Sequence, residues 1–382
     1  MDNVTTNINK RRTARILTVA CGLLFSIFSI AYLSFFQQNV VEALHYSLAQ
    51  GKTVYAPWIS AVLITVVLLI LRWAINALIG LKGPIKTLSY FPSCLLLGVL
   101  TDVGHGVYHG EGISSVWSWL LPLLLFLYVG IGWILSRITR VWTNINVEIV
   151  VNSNLLILLL LCFMTVSIGN SNVHFHHELQ MEEALRKQEY EEARKIGKRS
   201  MDPSRNLTAL RAYSMSREGT MGEYLFSYPQ LYGAAGLLIG HSDHEALRMN
   251  ADSLYVYLGA KPFLGESAMK FFQRICQEES GNYTTLDYYL SALLLEKKLD
   301  QFATSFEELY IVKDSIPRYY RQALFLHQKM NPVMGNEIVD EIMQSQWEAY
   351  EKMKKELSGT VGEGNLMRRK YGDTYWWYYQ YR

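Results

Sequence analysis

Charge is scarce at the start of this 382-residue chain: residues 1–169 hold 10 Lys/Arg and 5 Asp/Glu, against 26 and 29 in residues 170–382. The first part is therefore +5 and strongly apolar, and the second is −3 and ordinary for a water-exposed domain. That split excludes a single soluble globule, and the length suggests about two domains. With a formal charge of +2 overall, no cationic face is available to neutralise a row of phosphates, which excludes nucleic acid as a partner. Cysteine is sparse as well. Cys21, Cys94 and Cys162 lie in apolar runs and Cys276 stands alone in the polar part. With no CxxC and no disulfide framework within that part, cysteine usage leaves the redox compartment open. A P-loop, a dinucleotide-binding glycine fingerprint, a kinase signature set and a paired-carboxylate signature are all missing. Gly233-Ala234-Ala235-Gly236 follows no strand pattern and reads as close helix packing. No cofactor is expected.

What the first part does contain is apolar runs. A bilayer core about 30 Å thick needs ~20 apolar residues as a helix. Residues 16–36, 54–71, 113–135 and 149–168 qualify, with Pro57 in a first turn and Pro122 as a kink. Residues 89–100, with Pro92 near the start, form a shorter and weaker fifth span. The first run follows Lys10, Arg11, Arg12 and Arg15, as a signal peptide would. It is longer than the usual signal core, however, and ends in Phe35-Phe36-Gln37-Gln38 with no cleavage motif, so it reads as a retained anchor.

Orientation follows from basic residues in short loops. Lys10, Arg11, Arg12, Arg15, Arg72, Lys82, Lys86, Arg137 and Arg140 fall on one side of a five-span arrangement, and only Lys52 on the other. The expectation is a membrane protein with its N-terminus in the cytoplasm and everything after Ile168 extracytoplasmic. If 89–100 did not cross, Arg137 and Arg140 would face outward. Trp58, Trp73, Trp117, Trp119, Trp133 and Trp142 stand near span ends, as interfacial aromatics do. No ionisable residue falls in the middle of a span, which disfavours a proton-coupled carrier or ion pump. Asn152 and Asn154 at the start of the last span read as polar glue between helices.

From Glu178 the apolar positions recur at three- and four-residue steps, the mark of amphipathic helices. Residues 178–198 read as two helices broken near Gln188, residues 204–218 as another, and Gly219 as a stop. Further helices are expected over 286–297, 299–311, 317–330 and 336–357. Gln188-Glu189-Tyr190-Glu191-Glu192-Ala193, followed by Asp202-Pro203, resembles the second helix of a tetratricopeptide repeat. There a large residue and a small one three positions on pack a helix pair, and a proline closes the unit. Gly219-Thr220-Met221 is similar to the next inter-helix turn. The whole layout also resembles an uncharacterised family of integral membrane proteins of Bacteroides type, on the strength of Tyr213–Arg217 with its flanks and the tail Tyr371–Tyr381. That resemblance implies a bacterial inner-membrane protein, a multi-span region joined to a periplasmic tetratricopeptide-like domain, and no known activity. The expected fold is thus all-α: a five-helix transmembrane region over 1–169 and an extracytoplasmic helical-repeat domain over 170–382.

Two groups of residues are candidate sites. Asp102, His105 and His109 stand at steps of three and four, and Glu111 follows. His174, His176 and His177 leave the last span at the same face. Imidazole and carboxylate together suit a zinc-like ion. The competing reading is solvated or interfacial histidines, favoured by the loop-forming Gly104, Gly106, Gly110 and Gly112. His177-Glu178 is no metalloprotease helix, since no second His stands at the required spacing. His241, Ser242, Asp243 and His244 read better as a helix start than as a catalytic group. In the tail, Tyr375, Trp376, Trp377 and Tyr379 have faces that would stack on a glycan or contact a partner or lipid. The alternative is that the tail closes the domain by packing over its last helices.

The leading expectation is a non-enzymatic membrane anchor whose helical domain binds another protein or an envelope component through a concave groove. One rival is an envelope enzyme acting on a lipid-linked or glycan substrate through the 102–111 loop. Another is a subunit that only stabilises a larger membrane complex. Beyond the lipid bilayer, the expected partner is a protein, with glycan contact as a further reading.

Overall fold

The computed structural model describes residues 2–109, 112–139, 146–240, 248–249, 251–278, 283–312, 315–331 and 340–382. The expected helix start at 241–244, together with Arg140, Trp142 and Glu111, lies outside them. Among the described residues there are eighteen α-helices and no strand, only an isolated antiparallel bridge between Val103 and Ile113. They fall into two compact units, one ending at Leu179 and one starting at Gln180.

The first unit contains α1 (Asp2–Ala31), extended by a π-helical turn Tyr32–Phe36, then α2 (Gln38–Ala49) and α3 (Pro57–Ile79). Pro57 opens α3, where its missing N–H costs nothing, and Gly80 ends it at φ 70°. A 3-10 segment, Gly83–Tyr90, runs directly into α4 (Phe91–Thr101). A second 3-10 turn, His105–His109, is followed by α5 (Trp117–Thr139), α6 (Val147–Ile168) and α7 (Val173–Arg186), inside which the unit boundary falls.

Four helical stretches are long and apolar enough to cross a membrane: Arg12–Phe36, Pro57–Ile79, Trp117–Ile138 and Val147–Ile168. Their outer faces are bare hydrocarbon, with Leu23, Val67, Leu159 and Phe163 all exposed and Phe126 at 78%. A belt of that extent belongs against lipid rather than water.

The expected span over 89–100 is not a membrane-length helix of its own: α4 has 11 residues and reaches only ~16 Å, well short of the ~30 Å hydrocarbon core. The cause is local. The chain ahead of it winds as a 3-10 segment carrying Pro84, and Pro92 at the start of α4 has no N–H to extend the ladder backwards. Nor does α4 face lipid. Cys94, Leu95 and Leu97 are buried, and a Cβ added at Gly98 would stand 2.9 Å from the Ile168 Cβ. Arg72, expected in a loop, lies inside α3, where its Nε donates to Ser89 Oγ at 3.1 Å and its guanidinium covers the Tyr90 ring.

The second unit contains α8 (Tyr190–Lys195), α9 (Arg205–Glu218), α10 (Met221–Tyr224), α11 (Ala251–Leu258), α12 (Ala268–Gln277), α13 (Tyr283–Leu295), α14 (Leu299–Leu309), α15 (Arg318–Met330), α16 (Glu341–Leu357), α17 (Glu363–Tyr371) and α18 (Tyr375–Tyr381). The break between α7 and α8 falls at Gln188, which has φ 62°. The Ser204 hydroxyl accepts from the Leu207 amide to start α9, and Gly219 ends it in the left-handed region. Ala193 is fully buried where α8 meets α9, and Tyr190 is half-buried against the same core. Arg211 of α9 clamps this pair: its guanidinium donates to Arg194 O at 3.2 Å and Ile196 O at 2.6 Å, satisfying carbonyls at the end of α8. Burial lowers its pKa to about 10, still well above neutrality, so it holds these carbonyls as a cation.

Candidate functional site

The histidine candidates sit at one end of the first unit, over a small core of Val40, Ala43, Leu44, Val103, Val107, Phe175 and Leu179. The glycine-rich segment after α4 is a closed loop. Gly104 N donates to Gly112 O at 2.8 Å beside the Val103–Ile113 bridge, and Val107 points into the core. Gly112 is needed there, because a Cβ would stand 3.0 to 3.2 Å from Val107. The loop is tied down by the Ser47 hydroxyl, which donates to Val107 O at 2.6 Å, and by the Asn170 side-chain amide, which donates to Val103 O.

Asp102, His105 and His176 each commit a side-chain atom to a separate hydrogen bond. The Asp102 carboxylate accepts the Trp117 indole N–H at 2.6 Å. His105 places Nε2 3.2 Å from Glu178 Oε2 and rests its ring on Phe175, with centroids 4.5 Å apart. His176 donates through Nε2 to Asn170 O at 3.0 Å. His174 has its amide on the Asn172 side chain, which starts α7, and its Nδ1 is enclosed without a hydrogen-bond partner. His177 follows on the same helix. His109 ends the 3-10 turn, and its side chain lies outside the description. No three His, Cys, Asp or Glu side chains among the described residues are placed to hold one metal ion.

The pairing that sequence reasoning missed is His105 with Glu178, 73 residues apart. Glu178 is 2% exposed, whereas His105 is 25% exposed. One signal pointed there. Phe175, Glu178 and Leu179 share a helix face by their three- and four-residue steps, so a carboxylate stands on an otherwise buried stripe.

The aromatic tail forms α18, started by the Thr374 hydroxyl accepting from Trp377 N. Tyr375 and Trp376 are enclosed in the core of the second unit. Tyr375 N donates to Gln322 Oε1 at 2.9 Å, and Trp376 Nε1 donates to Gln322 O at 3.1 Å. The hydroxyls of Tyr375 and Tyr378 donate to Leu294 O and Leu295 O, the last carbonyls of α13. Burial pushes the Tyr378 hydroxyl up to about 12, so it stays a donor. Tyr379 is half-buried beside Tyr375. Trp377 borders a cavity, together with Tyr378.

In comparisons with known proteins, a family of unknown function (DUF6057) matches residues 260–382, the stretch from before α12 through the aromatic tail. No curated protein and no solved structure matches the chain.

Proposed function

We propose that the chain is anchored in a bacterial inner membrane, with its N-terminus in the cytoplasm, and that residues 180–382 form a periplasmic, tetratricopeptide-like unit. That unit binds another protein or an envelope component and has no catalysis of its own, in keeping with the Bacteroides-type membrane family that the sequence resembles. The reading requires an odd number of crossings, and so requires Gly83–Thr101 to cross.

The observation that carries it is a set of hydrogen bonds at two levels. At one level Lys86 donates to Thr18 of α1, and Asn154 of α6 accepts from Thr87 N and donates to Gly83 O. At the other, Thr101 shares a hydrogen bond with Tyr32 at the end of α1, and its carbonyl accepts from Asn170 N just beyond α6. Thr18 to Tyr32 rises ~21 Å as a helix, Asn154 to Gly169 ~22 Å, and Thr87 to Thr101, part 3-10 and part α, ~22 Å. A short segment enclosed by longer helices can traverse the same layer, because its polar groups are satisfied by protein rather than by lipid. Thr65 with Ser29, Ser93 with Leu68 O and Thr165 with Cys94 O fill the space between the two levels.

A test uses single cysteines on a background lacking Cys21, Cys94, Cys162 and Cys276. In intact cells with a permeable outer membrane, an impermeant maleimide should label Ser200→Cys and Lys52→Cys but not Lys82→Cys. Labelling of Lys82→Cys with protection of Ser200→Cys would refute the arrangement. Protein partnership is tested by cross-linking in mild detergent followed by identification of a stoichiometric companion.

One observation favours the rival enzyme reading: His105 and Glu178 form a part-exposed imidazole with a buried carboxylate, the pairing a general base uses. Hydrolysis of a glycan or lipid-linked substrate by the purified protein, lost in Glu178→Gln and in a His105→Ala/His109→Ala pair, would establish that reading.

A further inference from the structure

The second unit holds a cavity of about 370 Å³ between the segment Phe226–Gln230, the stretch after α8, and helices α17 and α18. Its charged lining is Lys198, Arg368, Arg369 and Arg382, against the single carboxylate of Asp373. That carboxylate is engaged elsewhere, 3.1 Å from the Arg318 guanidinium. Among the described residues no carboxylate stands within ion-pair distance of any of the four cations.

Lysines and arginines on a surface are usually just solvated, and Lys198, Arg369 and Arg382 are exposed. Arg368 is different. It is half-buried, and its side-chain hydrogen-bond partner is the Met201 sulfur at 3.9 Å. Its guanidinium and that of Arg382 both lie over the Trp377 ring, 5.3 and 5.9 Å from the centroid. Trp377 is itself pinned, with Nε1 donating to Gly364 O at 3.0 Å. The turn at Gly372 passes close beside Arg368, where an added Cβ would stand 2.7 Å from the Arg368 Cγ. Burial and the neighbouring Arg382 both depress the Arg368 pKa. Two like charges on one ring, without a counter-ion, are what an anion would relieve.

We propose that this cavity binds a small phosphorylated molecule, with Arg368 and Arg382 taking the phosphoryl oxygens and Lys198 and Arg369 at its rim. Guanidinium planes held against an aromatic ring present fixed forks, the geometry that grips a phosphoryl group by paired N–H donors. A phosphate ester carries about −1.5 to −2 and three acceptor oxygens, which answers three net positive charges better than a single carboxylate does. The volume is at the lower end of small-molecule sites, about 300–1,000 Å³. The inference deepens the reading of residues 180–382 as a binding unit, but it does not depend on which side of the membrane that unit lies.

The test is calorimetric titration of the full chain in mild detergent with glucose 1-phosphate, inorganic phosphate and acetate. A parallel arm measures binding to nanodiscs with and without phosphatidic acid. Saturable binding of glucose 1-phosphate or phosphate, weakened at least tenfold in Arg368→Gln/Arg382→Gln and unchanged in Lys329→Gln, supports the proposal with a soluble ligand. The same loss seen only on phosphatidic acid nanodiscs supports it with a lipid headgroup as the source. Arg368→Lys, which keeps the charge but loses the fork, should also bind more weakly. If the double variant melts lower than the parent, the exposed Arg382→Gln alone carries the test, with at least a threefold loss expected. Absence of saturable binding in both arms, equal binding of acetate, or binding indifferent to these changes would overturn the proposal. None of these outcomes bears on the cysteine-labelling result, so a failure of membrane sidedness is told apart from a failure of the site.

Discussion

Asn154 shows how much one polar residue does inside an apolar bundle. It is fully buried, its side-chain oxygen accepts from Thr87 N and Oγ1, and its amide donates to Gly83 O and Val150 O. Hydrogen bonds between membrane helices average well under the nominal value, with measured contributions of ~0.6 and at most ~1.7 kcal/mol. Asn154→Leu should therefore lower stability by about 1–2 kcal/mol, read as a lower midpoint of unfolding in detergent; an unchanged midpoint would show that this contact contributes nothing.

Asp287 makes the corresponding case in the second unit. Burial raises its carboxyl to about 6, only partly offset by the Tyr320 hydroxyl, which donates to it at 3.1 Å. The folded-state pKa lies above the unfolded one, so ionisation costs stability progressively as pH climbs from about 4 through about 6, and the cost is constant above that. Asp287→Asn keeps the acceptor and removes the charge. It should stabilise the protein by about 3 kcal/mol at pH 7.5 and leave it nearly unchanged at pH 4. Denaturant unfolding at the two pH values checks this, and equal effects at both would contradict it. Residues of this kind are hard to read in a sequence. Asn154 is legible as glue because an amide in an apolar run has few other uses, but Asp287 stands in an ordinary polar context. Glu178 on its apolar stripe calls for a partner but does not identify His105, because their meeting depends on the fold of the loop between α4 and α5.

At the scale of elements, the close approach of α4 to α6 decides whether the short segment belongs to the bundle. Gly98 leaves no room for a side chain beside Ile168, and a Cβ on Gly169 would overlap Tyr32 and Thr101. Gly98→Val should drive α4 from α6 and lower the unfolding midpoint by several degrees, with an apparent cost of about 2–3 kcal/mol from overpacking. The same change at the exposed Gly130, which has open space around it, should cost little or nothing, since valine is no worse a helix former than glycine. Comparable effects at both positions would mean that α4 does not pack as described.

Elements with a strong local cause are legible from the residues alone. Pro57, the left-handed Gln188, the Ser204 cap and Gly219 all mark boundaries where the chain breaks or turns. The segment over 83–101 is less so. Apolar content suggested a span, but hydropathy does not show that half of it would wind as a 3-10 helix, nor that its sheath would be protein. The tail illustrates the reverse. Six aromatics in seven residues suggest an exposed recognition surface, yet α18 is bound to the carbonyls ending α13 and to Gln322, and Tyr375, Trp376 and Trp377 are all buried.

For the whole molecule, composition alone divides the chain into a lipid-facing part and a water-facing part, because two such different balances of charge cannot share one solvent. Which side of the membrane receives the second part is a matter of parity, and parity rests on Gly83–Thr101 crossing between the levels marked by Thr18 and Tyr32. Were it to re-enter and leave on the same side, Arg72, Lys86 and the later basic residues would lose their common side, against the usual distribution of positive charge. The most direct measurement fuses, after Arg382, either a phosphatase that is active only outside the cytoplasm or a fluorescent protein that folds only within it. The account predicts phosphatase activity and no fluorescence. Fluorescence without phosphatase activity would mean an even number of crossings and would contradict it.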